Sequence, residues 1–297
     1  MKWAGIVVGV VVLAVVAILL IFFRRQTFSY LTHWKGGPSS TSPWVDHEPP
    51  PDLRLAVAGD TGDSGRGLDE VAAAMDDIEG DEDYRALLLL GDNVYPDGEV
   101  ERLTETVYTP FGPVLDRDTE LLAILGNHDV IGGRGDEMME VLGMEGRTWS
   151  RELDGVLLVG LDSNDFGEDQ LEFLDRTLGE SDATWKIVAV HHPPYSAGYQ
   201  GSSVDIREAI APVLERHGVQ LVLSGHDHDY QRSRAIEGVT YVVSGAGSGT
   251  RRTGEDDFTE VAYSWRHFLD LAVYQDRLVL RAVDAEGRVM DEAVLRP

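Results

Sequence analysis

The sequence contains no cysteine. That excludes zinc–thiolate sites, iron–sulfur clusters and a thiol nucleophile. It says little about redox compartment, because a chain of 297 residues can bury a core that needs no disulfides. Lysine is nearly absent too: Lys2, Lys35 and Lys186 are the only three. The other basic residues are arginines, and the formal net charge is −27. Binding a phosphate backbone needs basic patches, so nucleic acid is excluded as a partner. The acidic residues are spread over the chain, as at 79–83 and 254–257, and not gathered in a tail. Such a surface fits a halophile or an ordinary acidic protein, and the shortage of lysine leans toward the halophile.

Long apolar runs are also scarce, with one exception. Residues 4–23 are uninterrupted and apolar. As a helix they span about 30 Å, the thickness of a bilayer core. Lys2 precedes the run, and Arg24 and Arg25 follow it without a small-residue cleavage site, so an uncleaved single-pass anchor over 1–25 is expected. The flanking charges lean slightly toward a cytoplasmic carboxyl side. Residues 26–52, with Pro38, Pro43 and Pro49–Pro51 among serines and glycines, are expected to form an extended linker. It would hold an acidic domain away from anionic lipid.

From residue 53 onward strand and helix patterns alternate without a second linker, so 53–297 is read as one catalytic domain. Strands are expected at Leu53–Ala58, 86–90, 121–125, Val156–Leu161, 187–190 and 219–223, and helices at 68–78, 168–178 and 206–217. The stretch 132–147 reads as long and glycine-rich. Beyond His228 the pattern turns to short strands at 241–243, 268–274, 277–283 and 289–294, with Asp276 at a hairpin turn. The fold class is α/β (α+β), a two-sheet β-sandwich flanked by helices.

Five of the expected strands end in residues that bind metals. The blocks are Gly59-Asp60-Thr61-Gly62, Gly91-Asp92-Asn93-Val94-Tyr95, Gly126-Asn127-His128-Asp129, His191-His192-Pro193 and Gly225-His226-Asp227-His228. Ligands of open α/β proteins gather outside the carboxyl ends of strands. Asp60, Asp92, Tyr95, Asn127, His191, His226 and His228 can therefore converge on one edge. Carboxylate, phenolate, amide and imidazole together suit a pair of hard-to-borderline metal ions. Two metals in an open site point to displacement at phosphorus, with a small-molecule phosphate ester as substrate.

Within the set, Asp92 is the natural bridge between two ions. Tyr95 has two readings. It can bind Fe(III) as phenolate, since only a strong Lewis acid ionises a phenol near neutrality, or its ring can simply pack on the loop. His128, beside a ligand, can hold a phosphoryl oxygen or protonate the leaving oxygen. Asp129 can orient it through the other ring nitrogen. Arg251 and Arg252, in the glycine-rich loop 245–254, are either a phosphate clamp or solvated residues. Two other motifs fail. Gly62-Asp63-Ser64-Gly65 resembles a serine-protease segment but joins a strand to a helix, with no matching histidine or aspartate blocks upstream. The Gly59, Gly62 and Gly65 spacing is wrong for a dinucleotide loop, and Asp60 would repel a pyrophosphate.

At these blocks the chain resembles the calcineurin-like metallophosphoesterases, and among them the small, tartrate-resistant type of purple acid phosphatase. The general family carries histidine two residues after the first aspartate, where this chain has Gly62. In purple acid phosphatases that histidine is missing and a tyrosine follows the second aspartate, as Tyr95 does here. The resemblance implies a ferric site of Asp60, Tyr95 and His228. A divalent site (Fe, Zn or Mn) would use Asn127, His191 and His226, with Asp92 bridging. It implies hydrolysis of phosphomonoesters by a hydroxide formed from bound water, with His128 serving the leaving oxygen and His192 beside the ligands. It also favours an extracytoplasmic catalytic domain. One departure stands out. Relatives often carry a substrate-side histidine nine residues after the ligand His191, and that position is Gln200. The alternatives are a dinuclear phosphodiesterase with Tyr95 structural, or a membrane-tethered binding protein without chemistry.

Overall fold

The computed structural model describes residues 37–38, 40–80 and 82–297. The apolar run 4–23 lies outside the described residues. Among those described, no helix is long and apolar enough to cross a membrane.

In chain order the elements are β1 (Ser42–Pro43), β2 (Leu53–Ala58), α1 (Arg66–Glu79), β3 (Ala86–Leu89), α2 (Gly112–Leu115), β4 (Glu120–Ala123), α3 (Asn127–Ile131), α4 (Gly135–Leu142), β5 (Trp149–Leu153), β6 (Val156–Leu161), α5 (Glu168–Glu180), β7 (Trp185–Val190), α6 (Val204–Arg216), β8 (Leu221–Ser224), β9 (Tyr230–Ser233), β10 (Thr240–Ser244), β11 (Thr259–Tyr263), β12 (His267–Val273), β13 (Leu278–Asp284) and β14 (Arg288–Leu295). They build two seven-stranded sheets, ordered β1-β14-β13-β12-β2-β3-β4 and β11-β9-β10-β8-β7-β6-β5. The pairs among β2, β3 and β4 are parallel, as are those among β6, β7, β8 and β10. Both sheets are therefore mixed, and the ends of their parallel strands carry the metal-binding blocks.

Strand alternation explains the layers. In β2, Leu53, Leu55 and Val57 enter the core between the sheets, while Ala56 and Ala58 face the outer layer. Small residues there let α1 lie close, and it answers with Leu68, Val71, Ala72, Met75 and Ile78, three or four apart. Helices α5 and α6 cover the second sheet in the same way, through Leu174, Leu178, Ile206, Ile210 and Leu214. Trp185 ties the two sheets together: it is buried, and its indole N–H donates to the Tyr274 carbonyl at 2.8 Å.

Besides β1, which lies in the expected linker, three strands escape a reading of the sequence. β5 and β11 are edge strands with partly exposed middles, so neither shows an apolar run. β9 is polar, and its Arg232 and Gln231 are satisfied by Asp291 and Asp229. The stretch 132–147 holds α4, which buries Met138 and Leu142 four residues apart.

Residues 42–52, expected as spacer, are docked on the domain. β1 pairs with β14. His47 is buried and meets the Asp270 carboxylate at 2.6 Å, while Arg54 holds the other Asp270 oxygen at 2.6 Å. The Tyr274 hydroxyl donates to the Pro49 carbonyl at 2.9 Å. Burial would raise the Asp270 carboxyl, but His47 and Arg54 more than offset it and hold it below the usual carboxylate range. A fragment starting at residue 53 removes His47 and leaves the buried carboxylate to Arg54 and Tyr84. Losing such a charge-assisted bond costs about 1.5–3 kcal/mol. A fragment starting at residue 40 should therefore melt higher than one starting at 53. Equal melting temperatures would show that the segment adds nothing.

A second buried group makes the fold pH-sensitive. His267 is fully buried, with Nδ1 2.9 Å from the Trp265 carbonyl and Nε2 2.9 Å from the Ser244 hydroxyl. Burial lowers its pKa to about 4, against about 6.5 unfolded. A depressed histidine pKa means that the unfolded chain binds the proton first. The associated stability is present above pH ~6.5 and is lost as pH falls toward ~4, by about 3 kcal/mol in all. Urea melts at pH 7 and pH 4 should show this loss, and His267→Gln should shrink it. An unchanged pH dependence in that variant would contradict the assignment.

Candidate metal centre

Strands β2, β3, β7 and β8 end side by side, and their loops are stitched together by the main chain. Asp60 N–H donates to the Gly91 carbonyl at 3.0 Å, and Gly225 N–H to that of His191 at 3.1 Å. Asp60, Asp92 and His226 have φ of 57°, 52° and 71°. Left-handed backbone in non-glycine residues is costly and concentrates at functional sites. Here it turns each side chain off its strand into the shared edge.

Two groups of donors form. In the first, the Tyr95 hydroxyl lies 3.0 Å from Asp60 Oδ1, 3.1 Å from Asp92 Oδ2 and 3.0 Å from His228 Nε2. His228 Nε2 is also 3.4 Å from Asp60 Oδ1. In the second, His191 Nε2 is 3.3 Å from Asn127 Oδ1 and 3.4 Å from Asp92 Oδ1. Ligand atoms of Asp92, His191 and His226 lie within 4.8 Å of one another. Asp92 belongs to both groups and also accepts the His128 backbone N–H at 2.9 Å.

This donor set fits cations. His191 Nδ1 donates to the Leu90 carbonyl at 2.7 Å, which leaves a lone pair on Nε2, facing two more acceptors. The single Tyr95 proton can serve only one of its three acceptors. Burial, then the Asp60 and Asp92 carboxylates, raise the Tyr95 pKa far above that of an ordinary phenol; only a strong local positive charge would reverse that. Burial, with His191 and His192 adding to it, lowers His226 to about 3, so its imidazole is neutral and suited to ligation.

Gly62 explains why the residue two after Asp60 is not histidine. Its N–H donates to the Asp92 carbonyl at 2.9 Å, and Tyr95 N–H donates to the Gly62 carbonyl at 3.0 Å. A Cβ on Gly62 would meet Asp92 O and Tyr95 N at 2.7 Å. The loop that brings in Tyr95 thus occupies the space a side chain at 62 would need.

The remaining expected site residues fall at several distances. His128 packs edge-on against Tyr95, ring centroids 4.7 Å apart, with Nδ1 2.6 Å from the Pro96 carbonyl. Asp129, expected to orient that ring, does not contact it. Its buried carboxylate instead accepts N–H groups of Asn93, Val94 and Gly126 and the Asn93 amide. The start of α3 turns it back into the protein, so it clamps the Asp92–Tyr95 loop to the Asn127 loop, and the Pro96 carbonyl takes the expected place at His128. His192 packs at a tilt against His226, ring centroids 4.4 Å apart, and shares a hydrogen bond with Ser163 at 2.7 Å. Burial and the neighbouring His191 lower its pKa to about 4. Gln200 and Arg251 are exposed, and their backbone N–H groups donate to Asp227 and to the His228 carbonyl, each at 2.7 Å. Arg252 is exposed beside Arg251.

Sequence reading passed over Ser163, Asn164 and Asp227. The first two follow β6, in a segment, 162–167, that holds no histidine to mark it. Asn164 donates to the Leu125 and Gly126 carbonyls, each at 3.3 Å, and so supports the Asn127 loop.

The calcineurin-like phosphoesterase family matches residues 53–230, and the chain belongs to that family. Purple acid phosphatase 7 of Arabidopsis thaliana is 25% identical over 285 residues, covering 82% of this chain and 86% of that one. Tartrate-resistant acid phosphatase type 5 of Oryctolagus cuniculus is 28% identical over 200 residues, 54% of this chain and 61% of that one. Among solved structures, GAP50, the anchor in the inner membrane complex of Plasmodium, has a TM-score of 0.70 at 18% identity, covering 82% of this chain and 88% of that one. That likeness concerns the fold alone. Family and relatives together support phosphoester hydrolysis at a dinuclear metal site.

Proposed function

We propose that the chain is a phosphomonoesterase of the purple acid phosphatase type. The observation that carries this reading is the Tyr95 hydroxyl, 3.0–3.1 Å from Asp60, Asp92 and His228 at once. On this reading Asp60, Tyr95 and His228 hold Fe(III), Asn127, His191 and His226 hold a divalent iron, zinc or manganese ion, and Asp92 serves both. Bound metals supply Lewis acidity toward the ester and an activated water.

The protein's own part is positioning and proton transfer. The Pro96 carbonyl fixes His128 by Nδ1, so Nε2 is left for the substrate. As an imidazolium, His128 donates the Nε2 proton to the oxygen that leaves phosphorus, and the alcohol departs neutral. Asp129 keeps the Tyr95 and Asn127 loops in register, and Leu90 fixes the His191 tautomer.

The test compares 4-nitrophenyl phosphate with bis(4-nitrophenyl) phosphate on the metal-loaded full chain. The monoester should have the larger kcat/KM. A clear diesterase preference that survives Tyr95→Phe would overturn the proposal in favour of the phosphodiesterase reading. The run 4–23 is further proposed as a membrane anchor with the catalytic domain outside the cytoplasm. Added protease should then digest the domain on intact cells, and full protection would reverse that orientation.

A further inference from the structure

The loop after β6 supplies no ligand to the metal centre, yet its contacts lead to three of them. Asp162, buried at its start, is held from both sides by Gln170 of α5. Its N–H donates to Gln170 Oε1 at 3.0 Å, and the Gln170 amide donates to its carbonyl at 2.8 Å. Arg147 donates to the Asp162 carboxylate at 2.9 Å. Asp162 Oδ1 in turn accepts the Asn164 N–H at 2.9 Å and the Asn164 side-chain amide at 2.8 Å. The loop is thus fixed before it meets the centre. From there Asn164 donates to the carbonyls of Leu125 and Gly126, the two residues before Asn127.

Ser163 acts on the other side. Its Oγ accepts the His192 backbone N–H at 3.1 Å and shares a hydrogen bond with Nδ1 of the same residue at 2.7 Å. One oxygen therefore holds both the main chain and the ring of His192, which restricts the ring to a single orientation. That ring packs at a tilt against His226, centroids 4.4 Å apart, and edge-on against His191 at 5.1 Å. Metal-binding imidazoles need an outside brace, most often a hydrogen bond. His191 has one to the Leu90 carbonyl, while His226 is flanked by the rings of His191 and His192. We propose that the loop 162–164 governs occupancy of the second metal position alone, that of Asn127, His191 and His226, with Ser163, His192 and Asn164 as positioning residues. Asp60, Tyr95 and His228 already contact one another, so the first position should be indifferent to the loop. The proposal rests on the two-metal reading and adds to it what controls one of the two positions.

Zinc titrations of the metal-free full chain, followed by calorimetry, test this without turnover. Wild type should take up two ions. Asn127→Ala marks the binding event that belongs to the second position. His192→Ala and Ser163→Ala should each weaken that event by about 10- to 100-fold, the usual loss when a group supporting a ligand is removed. The other event should keep its wild-type affinity. Ser163→Thr, which retains the hydroxyl, should bind both ions as wild type does. If both events weaken alike, the loop only holds the fold; if the second event is unchanged in His192→Ala, the loop positions nothing. Either result would overturn the proposal and leave the two-metal reading intact. A wild type that takes up no zinc or a single ion would sink both together.

Discussion

Replacing Asp92 with alanine is expected to remove metal from both positions and to abolish turnover. Its side chain is shared by both donor groups. Its carboxylate lies 3.1 Å from the Tyr95 hydroxyl, 3.4 Å from His191 Nε2 and 2.9 Å from the His128 backbone N–H. Removing a group that merely supports a ligand costs about 10–100-fold in affinity or activity, and Asp92 on this account is a shared ligand, so its loss should exceed ~10²-fold. Asp92→Asn keeps an oxygen for the His128 N–H but loses the charge, and should lie between wild type and Asp92→Ala. Metal content per chain beside kcat decides the matter. An alanine variant that still holds two ions would show that Asp92 bridges nothing.

His128→Ala should separate chemistry from metal binding. The His128 ring touches Tyr95 and hangs from the Pro96 carbonyl, but no metal-binding atom depends on it. Turnover should fall about 10²–10⁴-fold, the usual worth of a positioned general acid, while metal content stays at the wild-type level. The deficit should be larger for an alkyl phosphate than for a nitrophenyl phosphate, whose leaving group needs no proton. A variant that loses its metals, or loses activity equally on both esters, would contradict the leaving-oxygen role.

The layers and the site were legible to different degrees, for physical reasons. Strands such as Leu53–Ala58 are buried on both faces, so they read as apolar runs, and their ends point to the centre. Gly62 and Tyr95 were legible together, and the structure supplies the cause: the loop bringing Tyr95 crosses Gly62 at backbone contact. Asp129 was misread because adjacency in sequence does not say which way a short helix turns its first residues. β9 was missed because Arg232 is paired by Asp291, 59 residues away in the chain, an approach that no local pattern records. The docking of 42–52 was hidden likewise. A proline-rich segment looks like a spacer, and its anchor, His47 on Asp270, joins residues 223 apart in the chain.

We propose that Tyr95 binds a ferric ion within a two-metal phosphatase centre. The visible absorption spectrum of the aerobically purified protein, recorded with its metal content and beside Tyr95→Phe, addresses it most directly. Charge transfer from phenolate to iron should give a visible band in wild type. Tyr95→Phe should lose the band, while Asp60, Asp92 and His228 still retain metal less tightly. A colourless wild type that holds only manganese or zinc, and is as active as an iron-loaded sample, would contradict the claim.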